Sequence, residues 1–527
     1  MNDVIRTFHV HHGKENIAVQ GQQINGQWQW KGDWETDLIS MRFQFTSRVQ
    51  WVRSAYYEWE AARAGWVAHE LVPKILQLEN GALVQASQQR GLWRLVNEYE
   101  LEWLFEGDEV QPITLFTELG FPERASLKPA DLQGLPTLLF PVVAYELSRT
   151  PAAQPFGAVL CFTDHCDFDS ADSLEVQLNV LQRFNIKVTK GFFYHDFSKR
   201  SENVALAQDD SWVNSWKNHG HEGAYHSLSQ SIKPLDEAVS DFTHFKDPYG
   251  FKVWIDHGYQ PYNWSKKHLS WSAKMAVIAG NQWKYCWHYL DMGMADTAWN
   301  QLETAHFSLY AILFKSKGIH LQKWHRAFQF IRLHQTTANE FAAMTAVLTY
   351  AKKAIREPIK VGVLQFPARI PGFFTVAKSI IRALFNWKKI PNTAAGQAVC
   401  YAVQHHDTVV TMFQTLLWND WVKPLESKAL QQFIDHKGIC IAHTYMSVDH
   451  PYHRNRLLLH STTLNPLVKP GLERLQHQIS SKHIWNPTVS EALDFWAQLS
   501  DVVFHLDENK AVHAADSTLP GRAVLPK

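Results

Sequence analysis

The 527-residue chain carries no net charge, because Lys+Arg and Asp+Glu both number 51. Such a balance argues against a broad nucleic-acid or anionic-membrane surface, since both need clustered positive charge. Cysteine is scarce and unpatterned. The five copies (Cys161, Cys166, Cys286, Cys400, Cys440) form no CxxC and lie mostly in apolar runs, which predicts small buried hydrophobes in a reducing compartment. Long hydrophobic runs are missing too. The stretch GLPTLLFPVVAYEL (134–147) is too short for a bilayer and is broken by proline, so no membrane span is expected. Met1 is followed by polar and His-rich residues with no apolar leader core, and the expected location is cytoplasmic. No low-complexity tract is present, and no Gly-rich phosphate loop of the GxGxxG or GxxxxGK[ST] kind follows any apolar run.

What the chain does hold is 46% hydrophobic and 19% charged residues, the make-up of a globular protein with a sizeable core. Its 28 His and 22 Trp stand out. Imidazole binds metals and moves protons near neutral pH, and indole offers a flat face on which a sugar ring can lie. The composition therefore leans towards metal chemistry or carbohydrate.

Residues 1–150 read as a β-rich or mixed N-terminal domain. QWQWKGDW (27–34) and LISMRFQFTSRVQWV (38–52) alternate as strands do, whereas 53–77 reads as helical. A Pro/Ala-rich loop (149–157) marks a boundary. Beyond it, apolar strand-like runs recur about every thirty residues at 157–165, 187–197, 221–227, 251–258 and 283–291, with helix-period segments between them. A mostly helical insertion (292–358) interrupts the series. It resumes with 359–369, a helix at 374–386, a weaker element at 398–407 and 438–446. That spacing belongs to βα units. The predicted class is α/β, a parallel barrel of seven or eight strands spanning 151–500. Segment 484–497 reads as a helix under the barrel, and 501–527 as a C-terminal tail that is polar and poorly ordered over 508–527.

In such a barrel the reactive groups stand at the C-terminal ends of the strands. Those ends here carry Asp164-His165-Cys166-Asp167, His195-Asp196, His226, Asp256-His257 and His443. A single His or Asp at a strand end is commonly a cap or a hydrogen-bond partner. Its recurrence on separate strands is what a divalent metal and a general acid/base pair require. Tyr259, Tyr262 and Trp264 follow the fourth strand as a candidate sugar platform, with His195 and Asp256 as further substrate-binding candidates. His405-His406-Asp407 is a second-rank candidate, and His9, His11 and His12 read as surface histidines. Trp287, Asp291 and Arg369 read as supporting or structural.

Three strings together resemble the polysaccharide deacetylase (NodB-like) family of carbohydrate esterases, in the family's order, over roughly residues 155–500. They are Phe162-Thr163-Asp164-His165; Gly220-His221-Glu222, leading to His226-Ser227-Leu228-Ser229-Gln230; and Ile439-Cys440-Ile441-Ala442-His443. The resemblance implies Asp164 as the base that activates water, His226 as a metal ligand and His443 as the acid for the leaving group. It also implies a divalent ion, zinc first, with cobalt, nickel or manganese as alternatives, and an acetylated carbohydrate substrate. The chain departs from the family in three places. His165 stands where the family has its metal-binding Asp, with Asp167 two residues on. Gln230 replaces the second His, and the Arg that orients the base is absent. The candidate ligand set is therefore His165, Asp167, His226, Gln230 and His257, with His257 as the replacement from the next strand. Two rival readings remain: a catalytically silent barrel that binds carbohydrate or scaffolds polysaccharide synthesis, and a glycoside hydrolase drawing two acids from Asp164, Asp167 and Asp256.

Overall fold

A computed structural model describes the chain except for residues 1–3, 32–37, 112, 119, 126, 133, 148–149, 201, 296–299, 303–307, 316–319, 357–371, 388–397, 449–452, 454 and 515–518. Strand and helix alternate from Ala158: β1 (Ala158–Asp164), α1 (Ala171–Arg183), β2 (Thr189–Phe192), α2 (Ser211–Asn218), β3 (Glu222–His226), α3 (Leu235–His244), β4 (Val253–Ile255), α4 (Trp271–Gly280) and β5 (Tyr285–Met294). Among the described residues, three α-helices intervene: α5 (His320–His334), α6 (Ala338–Arg356) and α7 (Phe373–Phe385). The chain then supplies β6 (Thr408–Leu417), α8 (Ser427–Asp435), β7 (Ile439–Thr444), α9 (Lys469–Ser480) and α10 (Val489–Ser500).

The strands run in the order β2-β3-β4-β5-β6-β7-β1, and β1 pairs with β2 to close the ring. Every neighbouring pair in that ring is parallel. The result is the expected parallel barrel, with seven strands. Closure sorts side chains by the two-residue period of a strand. Val159, Cys161, Ala224, Val253, Ile255, Tyr285, Trp287, Ile439 and Ile441 fill the interior, while Leu160, Phe162, Phe192, Trp254 and Cys440 belong to the layer under the helices.

Two expectations about the second half need revision. The element at 398–407 is a strand (Cys400–His405), but it runs antiparallel to β6 and turns at His406-Asp407. The barrel strand is β6 itself, whose mixed TVVTMFQTLL run lacks a clean apolar block. The hairpin turn precedes the start of β6, so His405, His406 and Asp407 lie at the end of the barrel away from His443, which pairs with Leu417 at the other end of β6. The expected strand 359–369, with Arg369, lies outside the described residues.

The N-terminal region consists mainly of two antiparallel sheets of six and seven strands. The helix expected at 53–77 is replaced by short strands, Trp59–Ala61, Val67–Ala68 and Ile75–Leu78. All four residues of Ile75–Leu78 are buried, as a strand enclosed on both faces requires and a one-sided surface helix does not. The described residues near the C-terminus are paired. Gly521–Val524 pairs antiparallel with Ala144–Leu147, and Arg522 joins Arg53 on the fully buried Glu146. Arg522, one of the polar residues that suggested disorder, helps to neutralise a buried carboxylate. α10 begins with a reciprocal capping box between Thr488 and Glu491. Its Val489, Leu493 and Trp496 join the core that fills the barrel, as the sequence predicts for a helix under it. Among the described residues no helix is long and apolar enough to cross a membrane.

Candidate active site

The strand parity that fills the barrel also builds the site. Continuing the interior series past the strand ends puts His165 after Cys161 on β1, His226 after Ala224 on β3, His257 after Ile255 on β4 and His443 after Ile441 on β7. These four imidazoles converge with the loop residue Asp167. His257 Nε2 lies 2.6 Å from Asp167 Oδ1, and His226 Nε2 lies 3.0 Å from Asp167 Oδ2. The His165 ring is 4.2 Å from that of His226 and stacks on that of His443 at 3.8 Å. His165, Asp167 and His226 each place one donor atom within 4.8 Å of the others.

Burial is nearly complete, yet several polar atoms are unsatisfied. Both nitrogens of His165, Nδ1 of His226, Nδ1 of His257 and Nε2 of His443 have no hydrogen-bond partner among the described residues. Such groups are costly to bury unless something else meets them. Burial lowers His226 to about 4 against the opposing charge of Asp167, and holds His165 well below the usual imidazole range with His443 adding to the effect. Both are neutral near pH 7, with lone pairs available. Burial alone would raise Asp167, but the two imidazoles, His257 foremost, outweigh it and keep the carboxylate ionised far below its ordinary range. Neutral imidazoles around a carboxylate are the donor set that a divalent ion takes, so the residues present fit a metal.

Beside this cluster lies an ordered acid–imidazole pair. Asp291 Oδ1 and Oδ2 stand 3.0 Å and 3.2 Å from His443 Nδ1, and Thr415 Oγ1 donates to Asp291 Oδ1 at 2.7 Å. Sequence reasoning read Asp291, near a strand end, as supporting or structural, and β5 is irregular there. Its register with β6 jumps from Trp287–Phe413 to Asp291–Thr415, and Tyr289 sits at a φ of 78°. This bulge re-aims the strand end. One legible sign was an acid close to an apolar strand end.

The opposite parity explains where the other candidates went. Asp164 follows Phe162 on the outward face, and its carboxylate is held by Lys190, by Thr444 Oγ1 at 2.9 Å and by the Met446 N–H at 2.8 Å. Burial raises it to about 6 against the pull of Lys190. Lys190 also meets Asp169 at 2.5 Å and Gln177 at 3.0 Å. Asp256 follows Trp254 outward, accepting from Trp254 Nε1 at 3.0 Å and from the Trp264 N–H at 2.8 Å. Gln230 donates to the Asp167 carbonyl at 2.7 Å and accepts from Ser198, so it braces the loop that carries Asp167. His195 is half-buried near Asp241, at 3.8 Å.

Of the three aromatic candidates, Tyr262 and Trp264 are core residues. Tyr262 stacks on Phe242 at 4.8 Å, and Trp264 on Trp271 at 5.7 Å. Tyr259 is 51% exposed, next to Tyr289 at 5.5 Å and under Lys266 at 4.5 Å. Through Tyr289 and Trp287 it connects to His443, whose ring lies 4.9 Å from Trp287.

No family model matches the chain, and no curated protein does. Solved structures similar to part of it include a family 4 carbohydrate esterase from Streptomyces lividans in complex with acetate, at 16% identity and a TM-score of 0.18, covering 34% of this chain and 89% of that one. Another is the Bc1960 peptidoglycan N-acetylglucosamine deacetylase, at 14% identity and a TM-score of 0.19, covering 33% of this chain and 83% of that one.

Proposed function

We propose that the barrel mouth is a metal-dependent hydrolytic centre that removes an acetyl group from a carbohydrate or carbohydrate precursor. The observation that carries this reading is the buried meeting of Asp167 with His226, His257 and His165, beside an Asp291–His443 pair whose Nε2 is open. Those four residues would hold the ion. Imidazole and carboxylate donors suit zinc, with cobalt, nickel or manganese as alternatives. Such an ion, when bound, makes water a usable nucleophile near neutral pH and polarises an acyl carbonyl.

The chain's own groups would do the rest. Asp291 accepts the Nδ1 proton of His443, which fixes the tautomer and turns Nε2 towards the cluster. His443 then takes a proton from water as it attacks the carbonyl, and returns it to the nitrogen or oxygen of the departing sugar. Asp164, with its carboxylate occupied by Lys190, Thr444 and Met446, contributes a fixed negative charge outside the ring of strands. Trp287 and the stacked imidazoles shield the cluster from bulk water, and Tyr259 offers a face for a sugar ring. The order of the three motif strings supports acetylated carbohydrate as the substrate class. A two-acid glycosidase needs carboxylates on both sides of one bond, whereas Asp164 and Asp256 stand on the outward parity and Asp167 is held between two imidazoles.

Metal analysis of the purified chain beside His226→Ala and Asp167→Ala, with hydrolysis of acetylated amino sugars measured on the same samples, tests this. Near-stoichiometric ion in the parent, at least tenfold less in either variant, and metal-dependent acetate release are expected (order of magnitude for a lost ligand). A parent that holds no metal even when supplied with it would overturn the reading and leave a carbohydrate-binding barrel.

A further inference from the structure

The neutral balance of the whole chain conceals a local imbalance. In sequence, helices α5, α6 and α7 carry eight Lys or Arg against one acid, Glu340. Arg382 already holds Glu340 at 2.8 Å. The same helices leave large apolar side chains in solvent. One face of α7 packs Val376 and Ala383 against Leu309, Ala327, Ile331 and Met344. Its other face presents Phe374 at 87%, Ile381 at 55% and Phe385 at 85% exposure. Positions 374, 378, 381 and 385 form one helical stripe, with the exposed Lys378 inside it. Phe314, itself largely exposed, extends the patch at the end of α7 through Trp387, 5.0 Å away, and Trp324 on α5 is more than half exposed.

We propose that this face docks on an anionic lipid bilayer, with Ile381 and Phe385 entering the acyl boundary and Lys378, exposed within the stripe, meeting headgroups. Contiguous exposed aromatic and aliphatic side chains mark an interaction surface, and Lys378 within it, with the excess of Lys and Arg over acids in the sequence of these helices, selects its partner. A second copy of this chain would bring one cationic helix set against another, which like-charge repulsion opposes. An anionic interface satisfies both the apolar stripe and the cations, the pattern of helices that lie in the plane of a membrane without crossing it. The docking unit also sits beside the barrel mouth. Arg332 lies over Phe341 at 4.7 Å, Phe341 meets Phe121 at 5.6 Å, and Phe116, across the same hairpin, meets Tyr259 at 5.8 Å.

Co-sedimentation of the full chain with vesicles of phosphatidylcholine, with or without phosphatidylglycerol, tests the inference. Metal content and hydrolysis are read separately, so failure of docking and failure of the hydrolytic reading are distinguishable. Binding is expected to rise roughly tenfold or more with the anionic lipid and to weaken with salt. The Ile381→Ser/Phe385→Ser double variant changes exposed positions and keeps the fold, as circular dichroism would verify, and should lose roughly tenfold or more of the binding. No binding to the anionic vesicles, or equal binding by the double variant, overturns the proposal. So does a self-associating parent that the double variant turns into a monomer at sedimentation equilibrium.

Discussion

A histidine that both takes and returns a proton needs one nitrogen fixed and the other free. His443 has that form because Asp291, itself steadied by Thr415, occupies its Nδ1. Asp291→Asn keeps the shape but admits the wrong tautomer. Turnover is expected to fall by about a hundredfold or more with a changed pH profile, while metal content stays at the parent level. Loss of metal together with activity would show instead that Asp291 merely holds the strand end. Far from the site, Lys74 is fully buried, with Nζ donating to the carbonyls of His69 at 3.0 Å and Gln89 at 2.5 Å. Burial lowers it to about 7, against the pull of Glu70. The unfolded chain keeps a lysine near ~10.4, so between those values it binds more protons than the folded one. Stability therefore rises with pH across that window, and the gain is absent below about 7. Melting of the parent against Lys74→Met at pH 7 and pH 9.5 should show the parent gaining on the variant at the higher pH; parallel curves would contradict a depressed lysine.

Among elements, β2 shows how tightly the barrel defines the cluster. Gly191 lies on the interior face, and a β-carbon there would meet His226 Cβ at 3.1 Å and the Asp164 carbonyl at 3.2 Å. Neither neighbour is the free end of a flexible chain. Gly191→Ala should destabilise by about 1–3 kcal/mol and reduce metal content by displacing His226, measured by denaturant unfolding and metal analysis; an unchanged metal content would mean that the cluster tolerates a shift of β3. The sequence made the barrel legible because apolar runs at a thirty-residue spacing leave few other ways to bury themselves, and it made His165, His226, His257 and His443 legible because each ends such a run. Parity was the clue left unused. Counting in twos from Val159 and Val253 separates inward His165 and His257 from outward Asp164 and Asp256. The same count from Tyr285 and Trp287 reaches Asp291, because two extra residues leave parity unchanged; what sequence could not show was Lys190, an outward lysine whose partners are distant in sequence. β6 stayed hidden because its polar residues are met by partners elsewhere: Gln414 donates to the Ala398 carbonyl at 2.5 Å, and Thr415 to Asp291.

The whole molecule is joined more closely than a boundary near residue 150 suggests. Interior barrel residues Val159, Ile255 and Ile441 share one apolar core with Phe8, Phe43, Trp93 and Trp103 of the N-terminal sheets, and α10 lies between them. Trp496 on α10 donates to the Pro151 carbonyl at 2.8 Å, and Arg90 reaches Asp501 at 2.5 Å. The last strand, Gly521–Val524, then returns to the N-terminal half. Separating the two halves would uncover apolar area on both, so they are expected to open together. The helices α5, α6 and α7 differ, with a small core of their own around Met344 and Val376. Local opening free energies follow buried contact. Hydrogen exchange should therefore find the slowest amides of β1 and of the Leu38–Phe45 strand exchanging with similar protection, close to that of global unfolding. Amides of α5–α7 should exchange through a smaller opening, orders of magnitude faster. Adding anionic vesicles should slow exchange in α7 and leave β1 unchanged if that helix lies in a bilayer. An N-terminal sheet that opens well before the barrel would break the single-core account, because the shared residues around α10 leave neither half a complete interior without the other.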